Sequence, residues 1–222
     1  MKKVLSIMLS VVLIATTFIG CSNSTTSGKI GSKYELAGTP YELFNEPERR
    51  IWYYHSSLVS KGFEPVFIVV FENGKATYYD HLYNGNGEQL TFGKIAQLTD
   101  DEIISIAKER EAEYYASQEH YVSNPNRYNF EAKDFDLHIY TDGTGNTTNY
   151  ERLNLEDVCS GDRPKEVDLY GQHYEMFTVY DANFAGFITD DDWAFITKVD
   201  TVLYEDINLT LDQPGSENIL ID

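Results

Sequence analysis

The stretch EPVFIVVFENGKATYYDHL, residues 64–82, constrains the fold more tightly than any other part of the chain. Asn73-Gly74 sits between two apolar, β-branched and aromatic runs, and both central residues of a type I′ turn need positive φ, so the pair predicts a two-residue hairpin. That turn sets the register: Val70 faces Thr77 and Ile68 faces Tyr79, while Val69 faces Tyr78 on the other side. The first strand, Val66 to Phe71, is apolar on both faces, which places it inside a sheet and not at its edge.

Further period-2 segments follow. From Asp134 to Thr141, Phe135, Leu137 and Ile139 point one way and Asp136, His138 and Tyr140 the other; after the turn-rich DGTGN, Leu153 and Leu155 offer a returning strand. HYEMFTVY (173–180), FAGFIT (184–189), WAFITKV (193–199), INLTL (207–211) and the closing ENILID continue the series, with Asp190, Asp191 and Asp192 as a tight connection. The C-terminal half therefore reads as an antiparallel meander.

One helix interrupts the strands. Thr99 as N-cap with Glu102 at N3 is a capping box, Leu98 and Ile103 form the staple, and Asp100 and Asp101 favour the positive end of the dipole. Ile103, Ile106, Ala107 and Tyr114 are expected on one face and Glu109 and Glu113 outside, over about residues 99–118, with Ser117 or His120 as its end. The predicted class is α+β, mainly antiparallel sheet with one amphipathic helix; a meander, a sandwich and a partly closed barrel are all compatible with the pattern.

The N-terminus has a different character. Lys2 and Lys3 precede an uncharged run from Val4 to Ile19 that ends in Gly20, the layout of an export signal. As a helix this run would reach about 24 Å, short of the ~30 Å hydrocarbon core. The seam Phe18-Ile19-Gly20-Cys21 resembles the lipobox of bacterial lipoproteins at three of its four positions, with Phe18 where Leu is commoner. That resemblance implies cleavage before Cys21, a diacylglyceryl (palmitate-type) thioether on its sulfur, and a mature protein held at the outer face of the cytoplasmic membrane. Two acyl chains hold where one binds reversibly.

After the seam, SNSTTSGKIGSK reads as a flexible tether with a reach of about 20 Å. The organisation is thus a signal over 1–20, a tether over 21–33 and one α+β domain over 34–222. Removing residues 1–20 takes away two of 17 basic side chains and none of the 36 acids, leaving a net charge of −21. Such a body is repelled by nucleic-acid phosphates and by anionic lipid, which argues against nucleic acid as a partner and leaves membrane affinity to the anchor.

Chemistry-bearing motifs are few. The chain holds no G-x-S-x-G, no G-x-x-x-x-G-K-[ST], no G-x-G-x-x-G opening a helix and no H-E-x-x-H, and the Gly-rich YNGNGEQ (83–89) lacks a phosphate-pairing Lys. Cys159 has no second cysteine to bond once Cys21 is acylated, and Glu156 and Asp157 disfavour its thiolate. His55, His81, His120, His138 and His173 are scattered singly, without metal-ligand spacing, and His138 is expected to face solvent. The loop from Asp142 fails as an EF-hand, with Thr147 where Gly is needed, and Asp190–Asp192 read as turn caps.

Tyrosine is plentiful, 17 in all, and strand propensity accounts for it. Paired tyrosines on a strand supply one outward ring each, so RRIWYYH and ATYYDH are the segments in which to look for a recognition surface. No catalytic, cofactor-binding or metal residue is assigned from sequence. The expected function is a lipid-anchored, non-enzymatic domain binding a protein or envelope component; the alternative is a small-molecule or divalent-cation binder associated with transport.

The mature product is expected to begin at Cys21 and to carry the mass of a diacylglyceryl group on that residue. Mass spectrometry of the N-terminal peptide tests this, and an unmodified thiol there refutes it.

Overall fold

Asn73 and Gly74 both lie at positive φ, 53° and 70°, and the hairpin they close has the expected register: Val70 opposite Thr77, Val69 opposite Tyr78, Ile68 opposite Tyr79. Glycine is needed at the second position for its φ and for space, since a Cβ there would lie 2.9 Å from Asn45 Oδ1. The computed structural model describes residues 36–56, 60–82, 89–118, 131–156, 158, 166–189, 193–200, 204–216 and 219–221. The signal, Cys21, the tether, the loop 83–88, His120, Cys159 and Asp190–Asp192 fall outside them.

The elements in chain order are β1 (Leu36–Gly38), α1 (Pro40–Phe44), β2 (Arg50–Ser56), β3 (Phe67–Glu72), β4 (Lys75–Tyr79), α2 (Phe92–Ile95), α3 (Asp100–Ser117), β5 (Asp136–Thr141), β6 (Thr148–Asn154), β7 (Glu166–Val179), β8 (Ala182–Thr189), β9 (Trp193–Val199), β10 (Ile207–Leu209) and β11 (Leu220–Ile221). Nine strands form one sheet in the order β11-β5-β6-β7-β8-β9-β2-β3-β4, and β1 and β10 form a separate pair. The protein is α+β and mainly antiparallel, with β5 through β9 as the meander.

The sheet does not close into a barrel. It curls far enough, however, that the residues leading into β5 reach the opposite edge: Ala76 of β4 and Lys133 exchange both backbone hydrogen bonds, at 2.8 and 2.9 Å. The curl lets one face form a single core, in which Trp52, Phe67, Val69 and Phe71 pack with Leu137, Leu153, Leu169, Phe187 and Phe195. Phe44 of α1 plugs this core, stacked on Phe71 at 4.4 Å and edge-on to Trp52 at 5.2 Å.

The other face of β2, β3, β4, β8 and β9 carries Ile51, Tyr53, Ile68, Val70, Tyr79, Phe184 and Ile196, and α2 and α3 cover it with Phe92, Ile95, Ile103, Ile104 and Ala107. The capping box of α3 is formed: Glu102 N–H donates to Thr99 Oγ1 at 3.3 Å and Thr99 N–H to Glu102 Oε2 at 2.8 Å.

Four expectations need correction. Two short helices join the predicted one, and α1 uses the same device, a Thr39–Glu42 capping box with Pro40 in the first turn. The buried side of α3 includes Ile104, Arg110, Glu111 and Tyr115, while Tyr114 is 38 % exposed, so the face is turned from the predicted one and is partly polar. INLTL leaves the meander, because Ile207–Leu209 pair in parallel with Leu36–Gly38. The closing strand also pairs in parallel, Leu220 with His138. Alternation identifies a strand, but these partners lie far away in sequence.

Gly186 sits where β8 crosses β9 most closely: a Cβ would lie 2.1 Å from Phe195 O and 2.6 Å from Ile196 Cα, both backbone atoms that cannot move aside. Gly186→Ala is expected to cost ~3 kcal/mol or more, whereas Gly171→Ala, whose Cβ meets only the Leu211 side chain at 3.5 Å, should cost less than ~1 kcal/mol. Denaturant melts of the two variants check the contrast.

Candidate functional site

Where β4 ends at Tyr79, the backbone loses its ladder partners and its N–H groups need acceptors from elsewhere. Glu111, at mid-length in α3, supplies them: its Oε2 accepts the N–H of Asp80 at 3.1 Å and of His81 at 2.8 Å. Arg110, its neighbour, donates to the carbonyl of Leu82. The polar positions on the inward face of α3 are thus explained by the strand exit beneath them.

The same geometry gathers three ionisable side chains. Glu111 Oε1 lies 2.9 Å from His81 Nδ1, and Asp80 Oδ1 forms an ion pair with the same nitrogen. Asp80 and Glu111 are buried, at 5 % and 2 % exposure, and His81 is half-buried. Its ring stacks on Tyr114, centroids 3.5 Å apart, and meets Tyr115 edge-on at 5.2 Å. Asp80, His81 and Glu111 each present a ligand atom, and those atoms lie within 4.8 Å of one another.

Burial alone would push His81 down. The close approach of the Asp80 and Glu111 carboxylates and their negative charges outweigh it, and the imidazole is held up to about 9. Tyr79 is pushed up to about 12 by burial, with the charge of Glu111 adding to it. At neutral pH His81 is therefore proton-loaded, which unsuits it to act as a general base. Chemically, one imidazole nitrogen and two carboxylates form a donor set able to hold a divalent cation.

The other sequence candidates among the described residues do not converge in this way. His55 is buried edge-on to Phe92 at 4.9 Å and is lowered to about 4 by burial. His138 is half-buried opposite Arg152, not fully solvent-facing, and His173 is half-buried on β7. Asp142 Oδ1 accepts Thr144 N–H at 3.1 Å, Thr144 Oγ1–H at 2.7 Å and Asn146 N–H at 3.3 Å, so it caps its own turn.

The tyrosine segments singled out for recognition are interior: Tyr53, Tyr78 and Tyr79 are buried, and Tyr54 is half-buried between Phe67 and Trp193, with centroids at 4.6 and 5.1 Å. The half-exposed row lies elsewhere, where Tyr140, Tyr150 and Tyr170 stand opposite one another on β5, β6 and β7. Tyr140 and Tyr150 stack at 4.5 Å, Tyr170 follows at 5.8 Å, and the Arg152 guanidinium lies 5.1 Å from the Tyr140 centroid. These rings turn their faces to each other and to Arg152. The row forms a cross-strand aromatic ladder.

A second buried acid lies in the concave core. Glu151 of β6 is fully buried, its Oε1 accepts the N–H of Asp212, and Asp212 Oδ2 in turn accepts the Tyr41 N–H at 3.0 Å. Burial, and then the charge of Asp212, pushes Glu151 up to about 9. It ties the segment after β10 to the sheet in its neutral form.

No family model, no curated protein and no solved structure matches this chain.

Because the folded pKa of Glu151 is raised, its stabilising contribution is complete below its ordinary carboxyl range and is lost as pH rises through about 9. Glu151→Gln removes that dependence. The stability of the variant relative to the parent is expected to increase between pH 5 and pH 9, by roughly 1 kcal/mol per unit. Chemical melts across that range check the slope, and a constant difference refutes it.

Proposed function

We propose that this protein is a lipid-anchored extracytoplasmic domain that works by binding, not by catalysis, at the outer face of the cytoplasmic membrane, with a protein or envelope component as its partner. The observation that carries the reading is the seam Phe18-Ile19-Gly20-Cys21, where a signal-like run meets a cysteine and a Ser/Thr-rich tether. Charge supports it: a body with 36 acidic side chains gains nothing from an anionic bilayer, so residence there needs acyl chains. The described body begins with β1 at Leu36, shortly beyond Lys33, where the tether is expected to end. Binding without catalysis is supported by the sequence, which carries none of the strong catalytic or cofactor motifs.

Detergent-phase partitioning of cell extracts tests the anchor. The parent protein is expected in the detergent phase and Cys21→Ala in the aqueous phase, with the solution fold unchanged by circular dichroism. If the variant stays in the detergent phase, the anchor reading fails.

A further inference from the structure

The cluster at the end of β4 has a defect that a proton cannot repair. His81 presents one Nδ1–H, which has one direction, and two carboxylates compete for it. Glu111 Oε1 receives it at 2.9 Å, while Asp80 Oδ1 contacts the nitrogen as an ion pair without hydrogen-bond geometry. Asp80 Oδ2 meets no donor among the described residues, in a side chain 2 % exposed. A buried acceptor left without a donor is destabilising, and more so when it is charged.

We infer that Asp80, His81 and Glu111 form a binding site for a divalent transition-metal cation of the zinc–manganese class. A cation at the centre of the triangle accepts lone pairs from three directions at once, where a hydrogen serves only one. Such an ion in place of the Nδ1 hydrogen gives the Asp80 carboxylate a partner. Nitrogen together with two oxygens suits a borderline dication, whereas calcium and magnesium favour all-oxygen shells.

The surroundings already orient the ligands. Glu111 Oε2 is fixed by two backbone N–H groups, which aims Oε1 at His81. Tyr114 stacks on the imidazole and fixes the plane of its ring. Supports of this kind hold metal ligands in place in known sites. The histidine side chain, 16 % exposed, puts the centre just beneath the surface.

Full-length protein purified in detergent, stripped with chelator and titrated calorimetrically with zinc and manganese salts tests the site. One equivalent per chain is expected, with a melting temperature raised by about 5 °C or more at a hundredfold excess over the dissociation constant. Asp80→Asn and Glu111→Gln are each expected to weaken binding at least tenfold, while Asp142→Asn, in an exposed turn, leaves it unchanged. X-ray absorption of the zinc-loaded parent needs no variant and should give a nitrogen–oxygen shell at about 2.0–2.1 Å with a single imidazole. Absence of stoichiometric binding, sulfur or a second imidazole in the shell, or calcium or magnesium binding as tightly as zinc overturns the inference. These results are independent of the phase-partitioning test, so the site and the anchor fail separately.

Discussion

Strand β3 must be buried on both faces, and the rest of the architecture follows from that demand. Phe67, Val69 and Phe71 point to one side and Ile68 and Val70 to the other, all buried. At about 25 cal/mol per Å² of apolar surface, leaving either side wet would forfeit several kcal/mol in this strand alone. No single layer can cover both sides. The sheet therefore curls so that β5 to β9 roof the first set, and α2 and α3 are laid across the second. The Ala76–Lys133 bridge is where the curl brings the two ends of the sheet into contact without closing it.

Laying a helix across β4 creates a local problem, because the chain must leave the edge strand underneath that helix. The amide groups of residues 80 and 81 are then shielded from water and have no neighbouring strand. Apolar residues on α3 could not serve them, which is why its buried side carries Arg110 and Glu111 among Ile103, Ala107 and Tyr115. Once Glu111 is buried to accept those amides, its second oxygen needs a cation or a donor, and His81 supplies one. Asp80, carried alongside by the chain, is the excess acid. The candidate site is thus a by-product of how the strand ends, available for use by any ion that fits.

The features legible in the sequence were those fixed by local geometry. Asn73-Gly74 gave the hairpin and its register, Thr99 and Glu102 the start of α3, and alternation located β5, β6, β8, β9 and the second half of β7. The Thr39-Pro40-x-Glu42 signal was equally local and would have identified α1. The parallel pairs were not legible, because Ile207 meets Leu36 and Leu220 meets His138 across most of the chain or more than eighty residues, with only a two- or three-residue pattern to mark them. The site was hidden for the same reason. His81 and Glu111 are 30 residues apart, and a glutamate on a helix surface cannot be told from a buried one until the helix is docked. Its one local trace was Asp80-His81 adjoining a strand that had to end beneath cover.

Acidity alone does not make a metal site, and this chain illustrates the difference. A net charge of −19 concentrates cations loosely around the whole surface, but salt screens that atmosphere within about 10 Å. Exposed acids such as Asp142 spend their lone pairs on neighbouring amides and hydroxyls and lose little by remaining as they are. Asp80 is different because it is buried and no donor among the described residues reaches Oδ2, so its carboxylate has something to gain from an ion that the others lack. Selectivity would then come from the imidazole, the one ligand in the group that a calcium-like ion values least. The general negative field of the body would do no more than raise the supply.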